Sequence, residues 1–349
     1  MKKLLAVLLA LVLVFGLVAC GGGDTPTPAP PPVGGGGTTP ADPPPGGTPH
    51  TERFTLSTSA PGGLWYIFGG AMSHVWGDLL PWPIDLMASS GGVENLRRAV
   101  MGDADIFFTH SSHMYEALHG IGVMDGMPPG EGILQILTST YPSSFYFTVL
   151  YDSDIRTLSD FEGRSVILGP PGGSVADNSR RMLRALDLYD TMQISEMGFT
   201  DAARMLQDGL VDIIGINAHP APTITEVANM RGVYIIPFSD EEMERILAVE
   251  PFFYSDIIPA NTFIGQEHDV QTPFFNIWLG VRYDVPNDVV YELLATLFSD
   301  EGMSYLLNVH HYWGYLSKRA DLAENWGFTF HPGTIEFYND HPQYLMPRI

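Results

Sequence analysis

Three times in this chain a glycine pair stands between a short apolar run and a run with helical spacing: Pro61-Gly62-Gly63, Ser90-Gly91-Gly92-Val93 and Pro170-Pro171-Gly172-Gly173-Ser174. Few folds accommodate that arrangement. Arg53-Phe54-Thr55-Leu56-Ser57-Thr58 alternates as a strand does. Leu64, Ile67, Phe68, Ala71, Met72, Val75 and Leu79 then recur with the period of a helix. A strand is expected at Ile84 to Met87, a helix from Val93 to Met101, and a strand at Ile106-Phe107-Phe108. Short strands alternating with helices imply βαβ units and a largely parallel sheet.

The pattern then returns. A strand is expected at Ser165 to Leu168, a turn at Gly172-Gly173, a helix from Ser174 to Leu186, and strands at Asp212 to Ile216 and Val233 to Ile236. Two stretches echo each other, Arg98 to Phe108 and Arg204 to Ile214. Each runs from a helix end through a glycine (Gly102, Gly209) to an aspartate (Asp105, Asp212) that opens an apolar strand. Glycine suits the left-handed stop of a helix. The pair predicts an α/β protein of two similarly built lobes. Ser144 to Tyr151 and Phe274 to Tyr283 are apolar segments that could each cross between them. The expected division is residues 52–145 plus 276–349 for lobe one and 146–275 for lobe two. The C-terminal segment, with Pro286 at a helix start, is expected to pack on lobe one.

The N-terminus reads differently. Lys2 and Lys3 precede an apolar run from Leu4 to Val18, too short to span a bilayer comfortably, which takes about 20 residues. Residues 1–19 read as a secretory signal. Leu17-Val18-Ala19-Cys20 resembles a bacterial lipobox, and Cys20 is the only cysteine in 349 residues. The competing reading is an ordinary signal with an incidental cysteine. Acylation of Cys20 would anchor the protein to a lipid bilayer through more than one chain, enough for stable attachment. Residues 20–51 form a tether, since 21 to 50 hold ten prolines and nine glycines. As a flexible coil such a segment reaches ~30 Å on average, and up to ~90 Å drawn out as polyproline II.

Loss of Lys2 and Lys3 takes the net charge from −23 to −25. That argues against nucleic acid, which requires a basic footprint. No Gly-Lys-Ser/Thr turn or intact G-x-G-x-x-G is present, so phosphate transfer and dinucleotide binding are not expected. His110 and His113 are spaced i, i+3 and His310-His311 are adjacent, without a third ligand at a diagnostic spacing. No cofactor and no metal are expected, and no G-x-S-x-G elbow points to a hydrolase.

Helix N-termini at the three glycine turns would carry partial positive charge at the carboxyl ends of strands, where open α/β sheets bind ligands. The candidate ligand-binding residues are accordingly Ser59, Trp65, Tyr66, Gly91, Gly92, Asn95, His110, Ser111, Tyr141, Gly173, Ser174, Val175, His219 and Pro220. Trp65 and Tyr66 are adjacent and cannot both face one core, so one of them is expected at the cleft.

At these loops the chain resembles the TAXI family of solute receptors for tripartite (TRAP) transporters. Gly62 to Ala71 resembles the family's first helix, Gly-Thr-Tyr-Tyr-Pro-Leu-Gly-Gly-Ala. Ser90-Gly91-Gly92-Val93-Glu94-Asn95-Leu96 resembles its Gly-Gly-Ser-x-x-Asn-Leu turn. Asp160 to Gly172 resembles its DLKGKRVAVGPPGSG stretch. Val285-Pro286 to Phe298 and His331-Pro332-Gly333 match its late motifs. The resemblance implies a type II periplasmic-binding-protein fold, closure around a small organic acid, delivery to a small and a large TRAP membrane subunit, and no catalysis. A monomer is expected. Gly92 stands for the family's Ser, Gly173-Ser174-Val175 for Ser-Gly-Thr, His110-Ser111-Ser112 for Gln-Ser-Asp, and Trp65-Tyr66-Ile67 for Tyr-Tyr-Pro. These losses of hydroxyl predict a ligand more apolar or bulkier than glutamate. An extracytoplasmic sensor lobe, or an enzyme on the same fold, is the alternative, since fold alone does not fix function.

Overall fold

The computed structural model describes residues 53–347. The signal (1–19), Cys20 and the tether (20–51) lie outside the described residues, which belong to one unit. The first half of the chain builds β1 (Phe54–Ser57), α1 (Leu64–Leu79), β2 (Ile84–Met87), α2 (Gly92–Met101), β3 (Ile106–His110), α3 (Ser111–His119) and β4 (Leu134–Ser144). After Phe145 follow β5 (Tyr146–Leu150), β6 (Ser165–Ile167), α4 (Ser174–Ala185), β7 (Gln193–Ser195), α5 (Phe199–Gln207), β8 (Ile213–Ile216), α6 (Pro222–Arg231), β9 (Val233–Ile235) and α7 (Asp240–Val249). The remainder comprises β10 (Tyr254–Ile258), β11 (Val270–Arg282), α8 (Asn287–Phe298), α9 (Asp300–Val309), α10 (Ala320–Asn325) and α11 (Pro332–Asp340).

These strands make two sheets. In the first, β2, β1 and β3 are parallel, and the long β11 runs antiparallel to β3, β4 and β10. The second has the order β7-β6-β8-β5-β9, with β6, β7 and β8 parallel and β5 antiparallel to both of its neighbours. The chain passes from the first sheet to the second between β4 and β5 with only Phe145 between them, and the Phe145 N–H is held by Pro273 O at 2.8 Å. Tyr254–Ile258, for which the sequence reading names no strand, pairs with Val270 to Phe274 of β11 in the first sheet. Its buried pattern is weak, with Ser255, Asp256 and Ile257 exposed, so hydrophobic spacing gave no signal for it.

The echo between the lobes is a shared hydrogen-bond device. Asp105 accepts from the Thr55 N–H at 2.8 Å and its hydroxyl at 2.9 Å. Asp212 accepts from the Ser165 N–H at 2.8 Å and its hydroxyl at 2.6 Å. Each hydroxyl accepts in turn from the aspartate N–H at 3.0 Å. Each aspartate thus ties the start of one parallel strand to the start of the next, after a glycine with positive φ (Gly102, Gly209) has stopped the preceding helix. The cores on both sheets are aromatic and aliphatic, with Phe54, Phe68 and Trp76 under one sheet and Phe147 and Phe161 under the other. In the C-terminal segment α8 and α9 pack against α1, and the Trp76 indole N–H donates to Leu293 O at 3.1 Å.

Candidate functional site

The parallel strands of both sheets end at one cavity. Its wall draws Ser59 and Gly62 to Trp65 from the turn after β1, Ser90 and Gly91 from the turn after β2, and His110 from the end of β3. From the second sheet come Ser174 and Val175, Phe199, and, after β8, Asn217, Ala218 and Ala221 to Thr223. Tyr141 of β4 and Ile216 complete it. The first six helices, α1 to α6, all begin at or beside this cavity, and none has its N-cap side chain bonded to the helix. Away from it, α7, α9 and α11 are capped by Ser239, Ser299 and His331, and α8 and α10 have no such cap. The ends of α1 to α6 direct the positive end of each helix dipole toward the cavity; the Tyr66 N–H of α1 is taken by the Ser59 hydroxyl and the Gly92 N–H of α2 by that of Ser174.

Among the described residues no Asp, Glu, Lys or Arg lines the cavity. His110 is 2% exposed, and burial, with His113 beside it, pushes its pKa well below the ordinary value despite the opposing charge of Asp177. Its ring is therefore neutral. Burial likewise raises Tyr141, which stays a neutral phenol. Trp65 stacks on Phe108 at 5.3 Å between ring centres, meets His110 edge-on at 5.1 Å, and donates its indole N–H to the Tyr141 hydroxyl at 3.0 Å.

The two lobes touch across the cleft. The Gly92 N–H donates to the Ser174 hydroxyl at 3.2 Å. Gly91, at φ +124°, has room for no side chain there, because a Cβ would lie 2.9 Å from the same hydroxyl. A Cβ on Gly173 would lie 2.1 Å from Ser90 O. Beside the cavity, charged groups bridge α3 and α4. His113 Nε2 lies 3.0 Å from Asp177, and Arg181 holds Asp177 and Glu116 at 2.5 Å each and Glu250 at 3.4 Å. Burial works to raise Asp177, but the His113 hydrogen bond and the Arg181 charge outweigh it and hold that carboxyl well below the usual range. Burial raises Glu250, against the pull of Arg181.

The sequence-predicted residues divide. Ser59, Trp65, Gly91, His110, Tyr141, Ser174 and Val175 line the cavity. Gly92 and Gly173 sit at the lobe contact instead. Tyr66 is 37% exposed and outside the wall, so of the adjacent aromatics it is Trp65 that faces the cleft. Asn95 is fully buried and ties loops together: its amide donates to Thr58 O and Phe108 O, and its oxygen accepts from Ser57 and Ser89. Ser111 accepts from the Trp278 indole at 2.9 Å and faces the core. His219 lies against Ser144 at 2.7 Å, and its carbonyl accepts from the Tyr312 hydroxyl. Pro220, next to it, is also off the wall. Sequence reading missed Asn217, Phe199 and Ala221 to Thr223, which carry no glycine turn or motif.

The cavity measures about 40 Å³, room for on the order of three water molecules. Trp65 forms part of its wall, and a Cβ on Gly173 at the lobe contact would meet Ser90 O. Among the described residues no cluster of three or more His, Cys, Asp or Glu could hold a metal ion, and no helix is long and apolar enough to cross a membrane.

Among solved structures the chain is similar to the periplasmic aliphatic sulphonate binding protein SsuA from Escherichia coli, at 15% identity over 83% of this chain and 84% of that one, with a TM-score of 0.43. It is also similar to a periplasmic transporter, at 12% identity over 85% and 96%, with a TM-score of 0.49. A third likeness is to a putative L-cystine ABC transporter from Listeria monocytogenes, at 12% identity over 75% and 96%, with a TM-score of 0.46. These likenesses are distant, and the fold described above rests on the chain's own topology. The NMT1-like family model matches residues 56–341, nearly all of the folded part, and the chain belongs to the NMT1-like family.

Proposed function

We propose that this protein is an extracytoplasmic solute receptor. Two lobes, 52–145 plus 276–349 and 146–275, close on a small organic anion and present it to membrane subunits of a transporter. One observation carries the reading. Six helices of two sheets begin at or beside a single cavity with uncapped N-termini, and no charged side chain lines it. Such an arrangement attracts an anion without a counter-ion. Each helix end contributes ~0.3–1 kcal/mol when exposed and up to ~2 when partly buried. Several ends with charge-assisted hydrogen bonds approach the ~8 kcal/mol of micromolar binding.

The motif resemblance supports a TAXI-type TRAP receptor within this reading, held to the membrane by acylated Cys20. Co-isolation of the native protein with its membrane subunits distinguishes a TRAP pair from an ABC permease. The anion reading is tested by a thermal-shift screen of carboxylates, amino acids and neutral solutes at fixed ionic strength. Stabilisation by carboxylates is expected; stabilisation by neutral or cationic compounds alone would overturn it.

A further inference from the structure

We infer that Asn217 makes this receptor selective for small 2-hydroxy monocarboxylates over plain carboxylates and over amino acids. The inference rests on the anion reading above and adds to it the group that reads the rest of the ligand. Asn217 follows the buried strand β8, and its carbonyl is fixed by the Ser143 hydroxyl at 3.2 Å. It forms part of the cavity wall, yet its side-chain oxygen and nitrogen are both shielded from solvent without a hydrogen-bond partner. Buried polar groups in native proteins are almost always paired. An orphaned carboxamide in a cleft wall therefore marks the place of a partner that the protein does not supply.

The chemistry of that partner follows from the carboxamide, which sets one donor beside one acceptor. A plain carboxylate only accepts, so it satisfies the amide nitrogen and leaves the oxygen orphaned. A hydroxyl on the adjacent carbon donates to that oxygen while the carboxylate accepts from the nitrogen. His110 lines the same wall, and its neutral ring carries one N–H donor and one acceptor nitrogen. An ammonium could also donate to Asn217, but no carboxylate lines the cavity to balance its charge, and a buried unpaired ammonium is strongly disfavoured. Among the described residues the lining has no cationic side chain for a second carboxylate.

Isothermal titration of the mature protein with glycolate, acetate, L-lactate, propionate and L-alanine tests the inference. Each hydroxy acid is expected to bind at least about tenfold tighter than its deoxy partner, since the latter leaves a buried acceptor unsatisfied. L-Alanine is expected to bind more weakly than L-lactate. Asn217→Leu should bring lactate to the level of propionate, and should raise the melting temperature of the ligand-free protein by removing the orphaned amide. Asn217→Ser, which keeps a small donor and acceptor, should retain part of the preference. Equal binding of lactate and propionate to the wild type would overturn this inference alone, as would tightest binding of alanine or a hydroxy preference unchanged in both variants. Binding of none of the acids would overturn the anion reading with it.

Discussion

Replacing Glu116 by glutamine removes one charge from the cluster that joins the lobes and leaves the shape unchanged. Asp177, Arg181 and Glu250 all lie on the second-lobe side of the cleft, whereas Glu116 reaches Arg181 from α3 at 2.5 Å. The pair is mostly buried, with side chains 19% and 11% exposed. A hydrogen bond between charged groups contributes about 1.5–3 kcal/mol. Arg181 faces three carboxylates, so losing one also relieves repulsion, and a net loss of about 1–2 kcal/mol remains. The loss falls on closure rather than on either lobe, because the Arg181–Asp177 and Arg181–Glu250 contacts survive. For a ligand-free protein poised near equal open and closed populations, it lowers the closed fraction from a half to roughly 3–16%. Small-angle scattering of ligand-free Glu116→Gln should show a larger radius of gyration than wild type. An unchanged radius with a lowered melting temperature would refute the argument, since the cluster would then brace one state instead of biasing two.

Gly173→Ala should spare the fold, because φ is −91° there, but its Cβ would meet Ser90 O at 2.1 Å in the closed form. Titration should show affinity weakened at least about tenfold, as expected for a backbone clash in a close-packed contact; unaltered affinity would show that the contact is not needed for binding. Asn95→Leu removes four buried hydrogen bonds, and urea unfolding should register a loss of at least about 3 kcal/mol; a loss under about 1 kcal/mol would count against the role assigned to it. Burial, with His310 and His311 adding to it, depresses His219 to about 4, and burial depresses His310 to about 4. The unfolded chain therefore binds more protons than the folded one between about pH 6.5 and 4, and stability falls as pH drops through that window. A melting temperature that is flat from pH 6.5 to 4.5, or a slope that His219→Gln leaves unchanged, would contradict this.

What the sequence made legible was the part that depends on backbone rules. Glycine turns had to open helices, and Asp105 and Asp212 had to open strands, because φ, helix capping and apolar periodicity are local. The second-lobe wall was not legible. Asn217 sits in Ile-Asn-Ala-His-Pro, a run without periodicity, and only the placement of β8 between β6 and β5 brings it to the cavity. Asn95 and Ser111 show the reverse error. Both sit beside true site loops, and polar residues next to a cleft read as contacts until hydrogen bonds to Thr58 O, Phe108 O and the Trp278 indole show them fastening the loops.

The uncapped helix ends have a consequence for how this cleft yields to mutation. On the anion reading, the positive potential of the cleft resides in peptide groups of α1 to α6 and not in any ionised side chain. An alanine scan of the wall leaves every one of those N–H groups in place, and it will report a cleft with no electrostatic hot spot. Over generations the wall can change its residues, and hence the solute it fits, while its field stays the same. In the laboratory only changes to the main chain, an amide-to-ester replacement at a first-turn position or a proline introduced there, will remove a share of that field.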